Sequence, residues 1–273
     1  MLKKRLIFTL LYNDGAFMLS RNFRLQRVGD LEWLRKNYDF SRISYSIDEL
    51  VVLDVTRENR NREKFCETLK ALTDQCFVPI AAGGGVESVV AARQLLRSGA
   101  DKIIINSSLF DDSNLSSQLS REFGQQCVIA SIDLKKESIE GYSVWIKNGS
   151  KAKENSAKFL LNQVLEQEVG EIYLNSIDRD GTGQGFDQET LDYLPSKVGK
   201  PIILAGGAGN AGHLLSGLKD SRVDAVATAN LFNFVGDGLK KARESLVNSG
   251  IVLPMWNIEM LSSISALDSV RAD

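Results

Sequence analysis

Glu49-Leu-Val-Val-Leu-Asp54, Pro79-Ile-Ala-Ala-Gly-Gly-Gly85 and Gly99-Ala-Asp-Lys-Ile-Ile-Ile-Asn-Ser-Ser-Leu-Phe110 return further along the chain. They reappear as Glu171-Ile-Tyr-Leu-Asn175, Pro201-Ile-Ile-Leu-Ala-Gly-Gly207 and Val223-Asp-Ala-Val-Ala-Thr-Ala-Asn-Leu-Phe232. Glu49 to Glu171 is 122 positions, and so is Phe110 to Phe232. Such an internal repeat must be read before anything else, because it sets the architecture. Each copy holds strands alternating with helices, four βα units to a block. Two blocks make eight units, so the predicted fold is an α/β (β/α)8 TIM barrel built from two duplicated half-barrels.

Working outward, short apolar runs buried on both faces predict parallel strands near 5–11, 49–54, 78–82, 102–106, 127–133, 171–175, 201–205 and 224–228. Helices are predicted at 60–73, 87–98, 113–124, 154–168, 188–193, 210–218 and 236–248. The clearest is 87–98, with Ser88 as its cap, an apolar stripe of Val90, Ala91, Leu95 and Leu96, and Gly99 at its end. Residues 12–31 read as a long polar loop after the first strand, with Asn13-Asp14-Gly15 marking a turn; loops of that length at this end of a barrel are often lids. Residues 1–250 suit one barrel, for which roughly 250 residues is typical, and 251–273 read as a loosely attached C-terminal extension.

Composition narrows the function. The 273 residues are 43% hydrophobic and 25% charged, with net charge −2, so there is no electrostatic case for nucleic acid or an anionic membrane. No apolar run approaches the roughly 20 residues of a membrane span. The Lys-Lys-Arg start followed by a short apolar run reads as the first strand, since no small-residue cleavage site follows. Cys66, Cys76 and Cys127 have no metal spacing and read as reduced thiols of a cytoplasmic protein. A single histidine, His213, argues against a histidine-rich metal site or a Ser-His-Asp triad. No metal or cofactor is expected.

Gly84-Gly85 and Gly206-Gly207 each follow a strand and open a helix, where backbone N–H groups and the helix N-terminus favour an anion. Asn106-Ser107 and Ala229-Asn230 end the next strand in each half and supply further donors. Two such loops in symmetric positions predict a ligand with a phosphate at each end. Asp54, Asp133, Asp178 and Asp180 stand at or just beyond strand C-terminal ends, where this fold places active-site groups. Asp133 follows the apolar run Cys127–Ile132 and is the candidate general acid–base; the alternative is a structural aspartate capping a loop. Ile177-Asp-Arg-Asp-Gly-Thr-Gly183 closes over a ligand or is a solvated turn. At the opposite end, Arg5, Glu49, Lys102 and Glu171 begin the first, second, fourth and sixth strands. Two cations and two carboxylates there make either a salt-bridged plug or a gate for a small polar molecule.

Taken together, Arg5-Leu-Ile, Gly15, Leu-Asp54-Val-Thr, Ala-Gly-Gly-Gly85, Gly-Ala-Asp-Lys102, Ile-Asn106-Ser, Phe-Gly-Gln-Gln-Cys127, Ile-Asp133, Ser-Ile-Asp-Arg-Asp-Gly-Thr182 and Gly-Gly-Ala-Gly209 resemble HisF, the cyclase subunit of imidazole glycerol phosphate synthase. The resemblance covers about residues 1–250. It implies a half-barrel duplication, a substrate with a phosphate at each end, and ammonia delivered by a separate HisH-like glutaminase docked on the bottom of the barrel. It puts the family's gate on Arg5, Glu49, Lys102 and Glu171, and a docking residue on Asp101.

The departures from that pattern are specific. Of the family's two catalytic aspartates, one falls on Asp133 and the other on Leu11, which cannot carry a proton; Asp180 is the candidate helper. A cysteine of the pattern falls on Thr9, the lysine of the flexible loop on Leu19, and a serine of the second phosphate site on Asn230. Leu11 and the Leu-Phe232-Asn-Phe-Val-Gly236 run look like the WbuZ-type branch of HisF-like proteins. That branch implies ammonia relay to a sugar amidotransferase in surface-polysaccharide synthesis, although Thr9 and Leu19 depart from it too. Three readings follow: an ammonia-relaying synthase subunit of that kind, a genuine histidine-biosynthesis cyclase, and a non-catalytic phosphate-ligand-binding activator of a glutaminase.

Overall fold

The structure, a computed structural model, describes residues 3–38, 43–112, 114–138 and 141–254. Eight strands form a closed parallel barrel: β1 (Arg5–Asn13), β4 (Glu49–Asp54), β5 (Ile80–Gly83), β6 (Lys102–Ile105), β7 (Val128–Ser138), β10 (Glu171–Ser176), β11 (Ile202–Ala205) and β12 (Ala225–Thr228). Each pairs with the next, β7 with β10 among them, and the pairs β6–β7 and β12–β1 join the two half-barrels. The predicted (β/α)8 barrel is the observed architecture, and all eight predicted strands are its staves.

Strand periodicity divides the core in two. Leu6, Phe8, Leu10 and Tyr12 of β1 face outward and join the layer between sheet and helices. Ile7 faces inward with Val51, Ala81, Ile104, Ile129, Tyr173, Ile203, Ala205, Ala225 and Ala227. The interior between the two ends of the barrel is therefore apolar and partly lined by alanine.

The helices flank the strands as the periodicity predicts. Val89–Arg97 is capped by the Ser88 hydroxyl, which accepts from Ala91 N at 3.2 Å, and Gly99 ends it in a positive-φ conformation. Gln188–Tyr193 is a 3-10 turn instead of an α-helix. A further helix, Leu31–Asn37, stands before β4 where none is predicted; Asp30 caps it by accepting from Trp33 N.

The stretch 12–31 is not a polar loop. Asp14-Gly15 makes a two-residue turn from β1 into β2 (Ala16–Arg21), and Asn22-Phe23 makes another into β3 (Arg24–Gly29). All four turn residues have positive φ, as the turns that match strand twist require. Asp14-Gly15 announces such a turn in sequence and Asn22-Phe23 does not. After β7 the chain again folds back, as β8 (Gly141–Ile146) and β9 (Lys151–Ala152), a second unpredicted hairpin. The extension also differs from expectation where it is described. Lys4 N donates to Val252 O at 3.0 Å, Leu253 is buried, and Arg243 donates to Pro254 O, so Ile251–Pro254 is tied to the bottom of the barrel. Residues 255–273 lie outside the described residues.

Candidate functional site at the barrel mouth

The strand C-terminal ends and the two hairpins enclose a cavity of about 1140 Å³. Alternation along β7 turns Ile129, Ser131 and Asp133 inward, so Asp133 reaches the floor of this cavity. Its carboxylate accepts from Asn175 Nδ2 at 3.0 Å and from Asn106 Nδ2 at 3.1 Å. Burial pushes its pKa up to about 7, and nearby Asp180 adds to the shift, while the two amides oppose it. A carboxyl held near neutrality by removal from water, with both oxygens oriented, is suited to accept and return a proton. Just below it, Tyr173 and Thr9 hydroxyls lie 3.2 Å apart.

Asp180 also lines the cavity, but its carboxylate is engaged. Ser20 Oγ donates to it, as does Phe23 N at 3.0 Å. Asn22 N donates to Asp180 O, and Asn22 Nδ2 donates to the carbonyls of Ile177 and Asp178. The Ile177–Gly183 turn therefore receives the tip of the β2–β3 hairpin, which spans the mouth from β1 to the far side. Burial raises the Asp180 carboxyl as well. Asp54 and Asp178 are occupied too. Asp54 accepts from Thr56 N and pairs with Arg60 at 2.9 Å, and Asp178 accepts from Lys136 N.

The anion-loop candidates Gly84, Gly85, Asn106, Ser107, Gly206, Gly207, Ala229 and Asn230 all line this one cavity. The Asn106 amide is turned to Asp133 and Ser131 O. The Ser107 hydroxyl accepts from Lys147 N, and Asn230 Oδ1 accepts from Asn233 N. The wall on the β1 side is apolar: Leu11, Ala16 and Met18 pack together with Leu25, Leu53, Val55 and Ala229. Leu11 is thus part of a built hydrophobic surface, 8% exposed. Leu19 lines the same cavity.

At the bottom, Arg5, Glu49, Lys102 and Glu171 meet in one ring. Arg5 bonds Glu49 at 2.9 Å and also Glu171; Lys102 bonds Glu49 at 2.9 Å and Glu171 at 2.6 Å. Each cation bridges both acids. Burial lifts the Glu49 carboxyl above its ordinary range, and its Oε1 is buried without a partner. Burial acts on Glu171 the same way, but Arg5 and Lys102 outweigh it and hold that carboxyl low. Asp101, the docking candidate, is used by the fold itself, since its carboxylate accepts from Ile80 N at 2.8 Å. Asp224, at the corresponding place in the second half, accepts from Ile202 N.

Sequence reasoning missed Asn175, Ser20, Tyr173 and Arg60. Asn175 was within reach, as a polar residue ending an apolar strand; the others depend on tertiary contact. Among the described residues no group of three or more histidine, cysteine, aspartate or glutamate side chains is placed to hold a metal. The three cysteines are free thiols, and among the described residues no helix is long and apolar enough to cross a membrane.

Comparison with known proteins agrees with this arrangement. The family model for histidine biosynthesis proteins matches residues 37–236. A protein of Parasynechococcus marenigrum (strain WH8102), named as imidazole glycerol phosphate synthase subunit hisF2 on a provisional basis, is 46% identical over 266 residues, covering 97% of this chain and 98% of its own. Imidazole glycerol phosphate synthase subunit HisF of Chlorobaculum tepidum is 35% identical over 255 residues, 93% of this chain and 99% of its own. That of Streptococcus mutans is 33% identical over 254 residues, 92% and 99%. With the barrel, the duplicated loops and the full-length matches in place, the chain belongs to the HisF-like family of imidazole glycerol phosphate synthase subunits.

Proposed function

We propose that this chain is a HisF-like synthase subunit that takes ammonia from a HisH-like glutaminase, passes it through the barrel, and delivers it to a phosphorylated ligand in the mouth for amidation of a sugar in surface-polysaccharide synthesis. The observation that carries the reading is the contrast between the two ends. The Arg5–Glu49–Lys102–Glu171 ring is complete, and the interior above it is apolar. In the mouth, the position of the family's second catalytic aspartate is Leu11, embedded in a hydrophobic wall. Loss of one member of an acid–base pair costs about 10²–10⁴-fold in rate, which disfavours efficient cyclisation while leaving ammonia transfer intact. In this reading the two glycine loops hold the phosphates, Asp133 handles the proton released when ammonia adds, and Asp180 holds the hairpin over the ligand.

A second reading, a genuine histidine-pathway cyclase, is favoured by one observation: Asp133 has a neutral-range pKa and two amide partners, enough for a single group to act as both acid and base. The test is turnover of the histidine-pathway substrate by the purified chain with excess ammonium salt at high pH and no glutaminase. Absence of turnover by a folded chain that still binds the substrate or a bisphosphate is the expected result. Robust turnover overturns the first reading in favour of the second. Failure to form a complex with a HisH-like glutaminase would count against both.

A further inference from the structure

The two glycine loops are copies of one backbone. A Cβ on Gly84 would meet Asp54 O at 2.2 Å, and one on Gly206 would meet Ser176 O at 2.6 Å; Asp54 and Ser176 are themselves 122 positions apart. The second glycine of each pair breaks the symmetry. A Cβ on Gly85 would land 1.9 Å from Arg60 Nη1, whereas a Cβ on Gly207 would land 2.1 Å from the carbonyl oxygen of Gly185. One loop has a guanidinium laid over it and the other a backbone carbonyl, whose residue donates its own N–H to Gly207 O at 2.9 Å.

Arg60 is held in place before any ligand arrives. Its Nε lies 2.9 Å from the Asp54 carboxylate, which is 1% exposed, and its Nη2 donates to Thr56 O at 2.7 Å. Arg62 adds a second guanidinium, donating to Gly85 O at 2.7 Å. The repeat carries Arg60 and Arg62 onto Thr182 and Gln184, both neutral. The arginine beside the second loop, Arg179, reaches Gln184 and lines a separate cleft of about 320 Å³, not the mouth. Glu58 and Glu87 also line the mouth, so the difference between the ends is one of contact with a fixed guanidinium, whose Nη1 faces Gly85, and not of a broad positive field. A nitrogen so held offers a phosphate oxygen one charge-assisted hydrogen bond.

We infer that Arg60, positioned by Asp54, makes the Gly84–Gly85 loop the stronger phosphate subsite and the Gly206–Gly207 loop the weaker. A ligand with two unlike anionic ends is then bound in one direction, with its dianionic phosphate monoester at the first loop. This rests on the reading of the two loops as phosphate sites, and the experiment separates the two claims. The full chain is titrated with inorganic phosphate while the backbone amide signals of Gly84, Gly85, Gly206 and Gly207 are followed by NMR. The signals of the first pair are expected to saturate at about tenfold lower phosphate than those of the second, the effect of one charge-assisted hydrogen bond. Arg60→Gln is expected to erase that advantage and leave the second pair unchanged. Because Arg60→Gln strands Asp54, the paired variant Asp54→Asn/Arg60→Gln, which removes both members of the ion pair, must give the same result. Equal saturation of both loops in the native chain, or an unchanged first loop in the folded paired variant, overturns the inference and leaves the phosphate reading standing. No response at either loop overturns both.

Discussion

A carboxyl that titrates near neutrality inside a folded chain makes stability depend on pH in a defined direction. Asp133 has a raised folded-state pKa of about 7 against an unfolded value near 4. Between those values the folded state holds a proton that the unfolded state has released. Its contribution to stability is therefore fully present below about pH 4 and is lost as pH rises through about 7. Asp133→Asn removes the titration, so the melting-temperature difference between the native chain and this variant should change between pH 5 and 8 and level off above that. A difference independent of pH would show that Asp133 is ionised throughout. The same residue was legible in the sequence because a polar group ending an apolar barrel strand has few places to go but the mouth. Arg60 was not. In the run Arg57-Glu-Asn-Arg-Asn-Arg62 nothing sets it apart from an ordinary solvated charge cluster, and only the approach of Gly85 singles it out. Leu11 was legible as an apolar residue near the end of the first strand, but its packing against Ala16 and Met18 was not, because that requires the hairpin.

The element that matters most beyond the barrel is the β2–β3 hairpin. It is joined to the β1 end of the mouth by its own ladder and to the opposite side by Asp180 and the carbonyls at 177–178. Gly181 permits this approach: it has φ +67, and a Cβ there would sit 1.8 Å from Ser20 O. Gly181→Ala should push the hairpin off its anchor, and limited proteolysis within residues 16–29 should accelerate while the melting temperature of the barrel changes little. Ser20→Ala, which removes one donor to a buried carboxylate, should do the same more weakly, at a cost of about 1–3 kcal/mol in local closure. If neither substitution alters cleavage, the hairpin does not depend on that anchor. The sequence concealed this element because its second turn, Asn22-Phe23, lacks the glycine that advertises a two-residue hairpin, and because Arg21, Arg24 and Arg27 give the stretch the polarity of a loop. The β7–β8 hairpin was hidden differently: the β7 strand runs past its barrel portion into Lys135-Lys136-Glu137, where the apolar signal stops but the pairing does not.

Over the whole molecule the duplication was the most readable feature, because 122-residue spacing constrains eight strands at once. It also explains why the ring at the bottom closes, since Glu49 and Glu171 are equivalent positions and face the same two cations. Removing one cation leaves buried acids short of a partner. Arg5→Ala should therefore destabilise the chain by about 3–5 kcal/mol, and Arg5→Lys, which keeps the charge, by less. In a complex with a glutaminase, the proposed relay predicts that Arg5→Ala also lowers the ratio of product formed to glutamine hydrolysed. A lowered melting temperature with that ratio unchanged would make the ring a plug alone. Asp101 illustrates the limit of reading a role from a matched position: its carboxylate already serves the β5 strand, as Asp224 serves β11, so a partner would meet a residue the fold also uses.

Lys4 and Val252 are joined by a backbone hydrogen bond, and the Asp48 carboxylate grips both Leu6 N and the Arg243 guanidinium. The first strand and the last helix are thus held side by side, and the order in which the two half-barrels are strung along the chain is not what closes the barrel. A circular permutant that runs from residue 252 through a short linker into residue 4, and is opened instead between the halves near residue 124, should fold to the same barrel with the blocks exchanged, a rearrangement open to gene duplication as readily as to the bench.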